Sequence, residues 1–489
     1  MVDWLSDYVP TAALLLLEVG LLVLALVVAP RNRRPSSGLA WILLIVTLPL
    51  LGLLLFAVIG SPELPKARRD KQRTMDQRIE ERTRAVAHRV TGSGAPAWLP
   101  PIARLNRETG SLPLVDGNVV HLLPHLDDQL AAIVAAVDRA ERFVHVEFYI
   151  LALDDTTRPF YAALARAVER GVEVRVLVDH LGSLKYPGFK KGLRELTRTG
   201  VRWHLMLPVQ PWKGRYQRPD LRNHRKLLVV DGLIGFVGSM NMIDPGYQTW
   251  SNRRRHLRWR DLMAEVQGPV VAEIEAIFIT DWFSETDELP PVAVPIDAVA
   301  EDEDPGTLLA QIVPSGPAFE SENNLALFNS LIYAAERRIS ITSPYFVPDE
   351  SLLAAILTAV QRGVEVELFV SAIGDQFFVH HAQHSYYEAL LGGGVRIYQY
   401  AAPTVLHSKH VSIDDEVGLV GSSNMDIRSF QLDLEVMMLV AGRAFVDELK
   451  AVEDEYRASS TELTLDEWRG RGVLHEVVDN IARLTSAVQ

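Results

Sequence analysis

The order of apolar and polar positions divides the chain into two unlike parts. Residues 11–29 are apolar apart from Glu18, and residues 40–59 carry no charge. Each run has about the 20 residues a helix needs to cross a hydrocarbon layer of roughly 30 Å. Asp3 and Asp7 precede the first run and Pro30 closes it, which argues against a cleaved signal peptide. The pattern predicts a transmembrane helical hairpin over residues 1–65, with Trp41 near an interface and Pro49 and Gly52 tolerated inside the second span. Residues 66–100 come next as a basic juxtamembrane linker with a mixed-charge helical pattern.

Beyond residue 100 the period changes, and one stretch occurs twice. Residues 170–178 read Arg-Gly-Val-Glu-Val-Arg-Val-Leu-Val, and residues 362–370 read Arg-Gly-Val-Glu-Val-Glu-Leu-Phe-Val. Each is a helix end, a glycine cap and a strand of alternating character. Each follows a helical stretch (160–169 and 351–361) and an earlier strand (143–151 and 339–347). Strand–helix–strand twice over predicts an α/β fold of two halves with largely parallel sheets. The acidic, proline-rich residues 285–306 read as a linker, so the halves are expected at 101–284 and 307–489.

Charge sharpens the division. The first 100 residues hold 12 Lys/Arg against 8 Asp/Glu, a balance of +4, leaving −17 for the remainder of a 489-residue chain whose net charge is −13. An acidic body counts against a nucleic-acid binder. Basic residues beside the apolar runs point instead to a membrane surface. Arg31, Arg33 and Arg34 lie between the runs, whereas Lys66, Arg68, Arg69, Lys71 and Arg73 come after the second. The larger cluster marks the cytoplasmic side, which places the body in the cytoplasm of a multi-pass cell-membrane protein. The absence of cysteine excludes disulfides, thiolate catalysis and Cys-ligated metal.

The repeat also carries chemistry. His224 is followed by Lys226, Asp231 and Asn241; His407 is followed by Lys409, Asp414 and Asn424, at the same spacings of two, seven and seventeen. Ser239 and Ser422 precede the two asparagines. An apolar run comes after each lysine, so His and Lys share one face of a strand and Asp points the other way, better suited to support. Asp231-Gly232 is a hairpin signal that brings residues 238–241 back beside His224 and Lys226. Two copies inside a wider repeat make coincidence an untenable account of these triples.

These paired motifs resemble the signature of the phospholipase D superfamily. The resemblance implies that the two halves face each other and form one active site. There, one His attacks phosphorus to give a phosphohistidine and the other protonates the leaving alcohol. Lys226 and Lys409 neutralise the phosphate, with Ser239, Ser422, Asn241 and Asn424 as donors, and no metal or cofactor is needed. Asp261 and Glu435 sit where the family places carboxylates that orient the imidazoles. His224 has the more basic setting and is the expected nucleophile. The narrower resemblance is to bacterial cardiolipin synthases and covers nearly the whole chain. It rests on the N-terminal Arg33, Arg34, Pro35, Trp41 and Pro49, the strand Val144 to Tyr149, the segment Thr342 to Pro348, and Asp426, Arg428 and Ser429. It implies transfer of a phosphatidyl group between two phosphatidylglycerol molecules, with other anionic phospholipids and the bilayer as partners.

The basic stretch Lys213, Arg215, Arg218, Arg222 and Arg225 is a candidate headgroup binder, most of all Arg222 and Arg225, and Arg428 is a second phosphate or carboxylate partner. A phospholipase D-type hydrolase, or another phosphatidyltransferase such as one making phosphatidylserine, shares every motif. His380, His381 and His384 include an i, i+4 pair with ligand spacing, but the chemistry has no need of a metal and none is expected. Oligomeric state is not legible.

Overall fold

A computed structural model describes residues 35–60, 63–83, 95–291 and 306–484, with scattered positions between 20 and 28. The first expected span lies largely outside the described residues. The second does not form one helix. Pro35–Thr47 and Pro49–Ile59 are separate helices, broken at Leu48. Pro49 supplies no N–H and its ring clashes with the preceding turn, so the chain bends there. The bend is sharp. Trp41 and Phe56 meet edge to face at 5.2 Å, and a Cβ on Gly52 would come within 2.8 Å of the Ile45 backbone. Arms of 13 and 11 residues rise only about 20 and 16 Å at 1.5 Å per residue. Among the described residues no helix is long and apolar enough to cross a membrane.

The mixed-charge segment is a helix, Lys66–Thr83, and it docks on the catalytic body. Arg68 pairs with Glu285, Lys71 donates to the Phe283 and Ser284 carbonyls, and Met75 and Ile79 are buried. These cations meet the acidic end of the helix Val270–Thr286, so the segment is part of the body rather than a free linker.

Both halves of the repeat are present, and their sheets have matching order. In the first the order is Val119–Leu123, Met263–Gln267, Ile234–Gly238, Lys226–Val230, Phe143–Phe148, Glu173–Asp179, Arg202–Met206. The second runs Gly306–Ser315, Asp433–Ala441, Val417–Gly421, His410–Ile413, Arg338–Thr342, Glu365–Ser371, Arg396–Tyr400. The last three strands of each series are parallel, joined by the expected helices Arg158–Glu169 and Glu350–Gln361; the others are antiparallel. The sheets are therefore mixed, not largely parallel. The cause is the hairpin after each motif, Asp231-Gly232 in one half and residues 414–416 in the other, which returns the chain beside itself.

Asp231 and Asp414 are the anchors of those hairpins. Each sits at positive φ (56° and 53°) and accepts three backbone N–H groups from the turn before the first parallel strand: Glu141, Arg142 and Phe143, or Glu336, Arg337 and Arg338. Alanine at either position orphans these donors. The expected loss is about 2–4 kcal/mol, read as a lower thermal midpoint, with the residual folded enzyme keeping its turnover.

One boundary moves. The helix Leu99–Gly110 and strand Val115–Gly117, expected to open the first half, pack on the second. Val115–Gly117 pairs with Gly306–Ser315, and buried Asn106 donates to Gln311 at 3.0 Å. Each half has its own aliphatic core across the sheet and its helices. A smaller cluster, Ile150, Ile243, Tyr247, Leu257, Trp259 and Val405, draws on both.

Candidate active site

The two halves are joined by exchange of strands. The segment Arg222–Asn223 just before His224 adds in parallel to Asp433 and Leu434 of the second half. Reciprocally, Thr404–Leu406 just before His407 adds in parallel to Arg258–Arg260 of the first. Backbone bonds then pin both histidines across the interface: His224 N–H to the Leu434 carbonyl at 2.8 Å, His407 N–H to the Arg260 carbonyl at 2.7 Å. One residue past each of these carbonyls stands a carboxylate, Glu435 or Asp261.

That register brings each imidazole to the other half's acid. His224 Nδ1 lies 2.9 and 3.1 Å from the Glu435 carboxylate oxygens, and His407 Nδ1 lies 2.6 Å from Asp261 Oδ1. Engaging Nδ1 leaves Nε2 of each ring for chemistry. Lys226 and Lys409 each donate to the carbonyl of the histidine two residues earlier, and both lysines act electrostatically on both imidazoles. Tyr149 meets the His224 ring edge to face at 4.9 Å, and Tyr345 meets His407 at 6.3 Å.

The serines expected to face phosphate do something else. Ser239 donates to Asp261 at 2.7 Å and Ser422 donates to Glu435, so each orients the acid that orients a histidine. Gly238 and Gly421 permit this. A Cβ on either would fall 2.3 Å from the carbonyl of Leu262 or Val436, which the next residue's serine N–H binds. Asn241 donates to the Tyr247 hydroxyl and Asn424 to Ser429 Oγ, both within the wall of the site.

Arg222 and Arg225 are turned into the protein. Arg222 is bound to Asp179 and the Leu207 carbonyl, and Arg225 to Asp281 and the Glu435 carbonyl. Both are nearly fully buried, so their work is to lock the exchanged strand, and a broken buried pair costs several kcal/mol. Arg428 stays beside the site, its Nε 3.1 Å from Asp433. Sequence reasoning missed Asp179, which accepts the Asn223 N–H at 2.9 Å and pairs with Arg222. The repeat held a signal for it: Ser371 closes the corresponding strand of the second half and accepts the Leu406 N–H.

Burial sets the electrostatics. It drives Lys226 down to about 8 and Lys409 to about 7, against the pull of Glu435 and Asp261. Burial and the two lysines also hold His224 well below 6.5, and His407 is lowered by burial and Lys409. The two acids diverge. Burial lifts Glu435 to about 7; for Asp261 the same penalty is outweighed by His407, Lys409 and Ser239, which keep it below its usual range. At neutral pH the nucleophile candidate His224 is thus neutral, one acid is firmly ionised and the other is near its midpoint.

Two facing His-Lys pairs, closed by carboxylates from opposite halves and fed by duplicated sheets, define a phospholipase D-like phosphodiester enzyme. The family model described as "Cardiolipin synthase, PLD-like domain" matches residues 133–282 and 328–455, and one described as "Phospholipase_D-nuclease N-terminal" matches residues 20–61. Cardiolipin synthase A of Proteus mirabilis (strain HI4320) is 32% identical over 457 residues, covering 92% of each chain. Cardiolipin synthase A of Yersinia pseudotuberculosis serotype IB (strain PB1/+) is 32% identical over 459 residues, again 92% of each. The chain belongs to this phospholipase D-like cardiolipin synthase family. The crystal structure of phosphatidylserine synthase from Haemophilus influenzae Rd KW20 superposes with a TM-score of 0.60 at 13% identity, over 80% of this chain and all of that one, which is a likeness of fold.

Proposed function

We propose that this enzyme joins two phosphatidylglycerol molecules into cardiolipin and glycerol through a phosphohistidine at His224. The observation that carries the two-histidine reading is the crossed pairing of His224 with Glu435 and His407 with Asp261. In the first step His224 Nε2 forms a bond to phosphorus. The bond from phosphorus to the glycerol oxygen breaks, and His407 gives that oxygen its proton. In the second step His407 takes the proton from a hydroxyl of the second phosphatidylglycerol. That oxygen bonds phosphorus, the P–N bond breaks, and His224 is free again. Ionised Asp261 stabilises the imidazolium form of His407, which suits the acid, and Glu435 near its midpoint leaves His224 neutral, which suits the nucleophile.

Attachment to a bilayer is part of the same reading. Large apolar side chains on the N-terminal helices are exposed, Leu43 at 65% and Leu50 at 85%. Trp250, Phe377 and Phe378 are exposed on the body, and Arg255 donates to the Gly374 carbonyl, linking the Trp250 helix to the loop that leads to Phe377. A body held at the surface meets donor and acceptor lipids at high effective concentration.

The test is mass spectrometry of lipids after incubating purified enzyme with phosphatidylglycerol bilayers without added metal. Cardiolipin with free glycerol is expected. Phosphatidic acid in its place makes water the acceptor and the enzyme a hydrolase.

The electrostatics predict a bell-shaped pH profile. His224 must be neutral to attack, and its lowered pKa places the acidic limb of kcat/KM below pH 6.5. The lysines must be charged, so activity falls as pH rises through about 7 and about 8, where Lys409 and Lys226 lose protons. Lys409→Arg stays charged and is expected to move the alkaline limb upward. A profile flat to pH 9 removes the lysine cations from the mechanism.

A further inference from the structure

Three histidines outside the active site, His380, His381 and His384, lie on the helix Phe377–His384, and the fold brings a distant carboxylate to two of them. Asp479, on the C-terminal helix Val473–Leu484, reaches them from 95 residues further along. His381 Nδ1 is 2.7 Å from Asp479 Oδ1, and His384 Nδ1 is 3.9 Å from the same oxygen. One ligand atom from each of the three residues lies within 4.8 Å of the others. We propose that His381, His384 and Asp479 form a structural site for a zinc-like divalent ion that fastens the C-terminal helix to the helix Phe377–His384.

Three features favour this chemistry. Ring Nδ1 atoms one helical turn apart point at a single carboxylate oxygen, and small ångström-scale opening of the 2.7 Å contact admits an ion with ligands at about 2.0–2.2 Å. The second carboxylate oxygen is already held by Arg471 at 3.0 Å, the kind of outer partner that fixes a ligating acid. His384 is otherwise unsatisfied. Its Nε2 is buried with no partner among the described residues, and its ring lies among His380, Tyr387 and Trp468.

The same groups select the ion. With one carboxylate against the Arg471 charge, a hard oxygen-seeking cation such as magnesium or calcium has too few donors. Two imidazoles and a carboxylate suit zinc, with a fourth position for water. His475, one turn before Asp479, acts electrostatically on His384 and so lies near the cluster. The ion is separate from the chemistry at His224 and His407, so its loss is expected to loosen the C-terminal helix and not to stop turnover.

The experiment uses the full chain, stripped with chelator and titrated with zinc by calorimetry, with the thermal midpoint followed in parallel. One equivalent of zinc is expected, with a rise in midpoint. His384→Ala and Asp479→Asn should each bind on the order of 100-fold more weakly, without the rise in midpoint and with lipid turnover retained. Zinc bound equally well by both variants means adventitious binding and overturns the site, as does no binding by the wild type. Should a variant fail to fold, cobalt substitution in the wild type decides. Intense four-coordinate visible bands support the site, and the weak spectrum of hydrated cobalt refutes it.

Discussion

Alanine at His224 is expected to lower kcat by on the order of 10⁴-fold or more, because it removes the nitrogen that forms the covalent bond. His407→Ala should lose a comparable amount with phosphatidylglycerol, since glycerol leaves poorly without a proton donor. The pair acts as one device, so the double variant should be scarcely worse than either single one. A lipid analogue with an activated leaving group separates the roles. His407→Ala should still form the phosphoenzyme from a phosphatidyl nitrophenol, releasing nitrophenol in a burst, whereas His224→Ala should release none. The opposite pattern exchanges the assignments and makes His407 the nucleophile. Peptide mapping of the trapped adduct then reads the site directly.

The two carboxylates should not be equivalent, although the repeat makes them look so. Asp261→Asn is expected to cut kcat by roughly 10²–10⁴-fold. The acid it replaces is ionised at neutral pH, 2.6 Å from His407, and balances the imidazolium that forms during catalysis. Glu435→Gln should cost much less near pH 7, because burial already lifts that acid to about 7 and half its charge is missing there. The gap between the variants should widen as pH falls and Glu435 becomes fully protonated, since its neutral amide then changes little. Equal losses across pH 6–8 would falsify the division of labour between the two halves. Both variants should retain KM more nearly than kcat, because the acids act through the imidazoles and not on the headgroup.

Much of this arrangement can be read from the chain, because it is written in local periodicity. The His-Lys face, the strand after it and the hairpin at Asp231-Gly232 all arise from alternation and turn chemistry over fewer than twenty residues. The duplication adds the number of halves. Where the reading fails, the deciding contact is distant. Residues 99–117 look continuous with the first half, yet they complete the sheet of the second, because the strand Gly306–Ser315 offers a free edge. In the apolar run 40–59 the deciding residues are local instead: Pro49 breaks the helix and Gly52 lets its arms close.

Arg222 and Arg225 show the same limit at the level of single side chains. Next to His224 they look like phosphate ligands. Their partners, Asp179 and Asp281, lie more than forty residues away and are found only when strand and helix pack. Ser239 and Ser422 likewise become supports for carboxylates because glycine brings their backbone against the next strand.

The sequence by itself determined the chemical parts: two His-Lys-Asp triples at equal spacing, two α/β halves to hold them, and an apolar N-terminal segment beside an acidic body. Tertiary structure alone decided how those parts are shared. Each histidine is held by the other half's carboxylate, because each motif strand extends the opposite half's pairing by two or three residues. Such pairing depends on edge register and burial between segments up to about two hundred residues apart, and no local pattern encodes it. The same is true of Asp479, which only the packing of the C-terminal helix carries to His381 and His384.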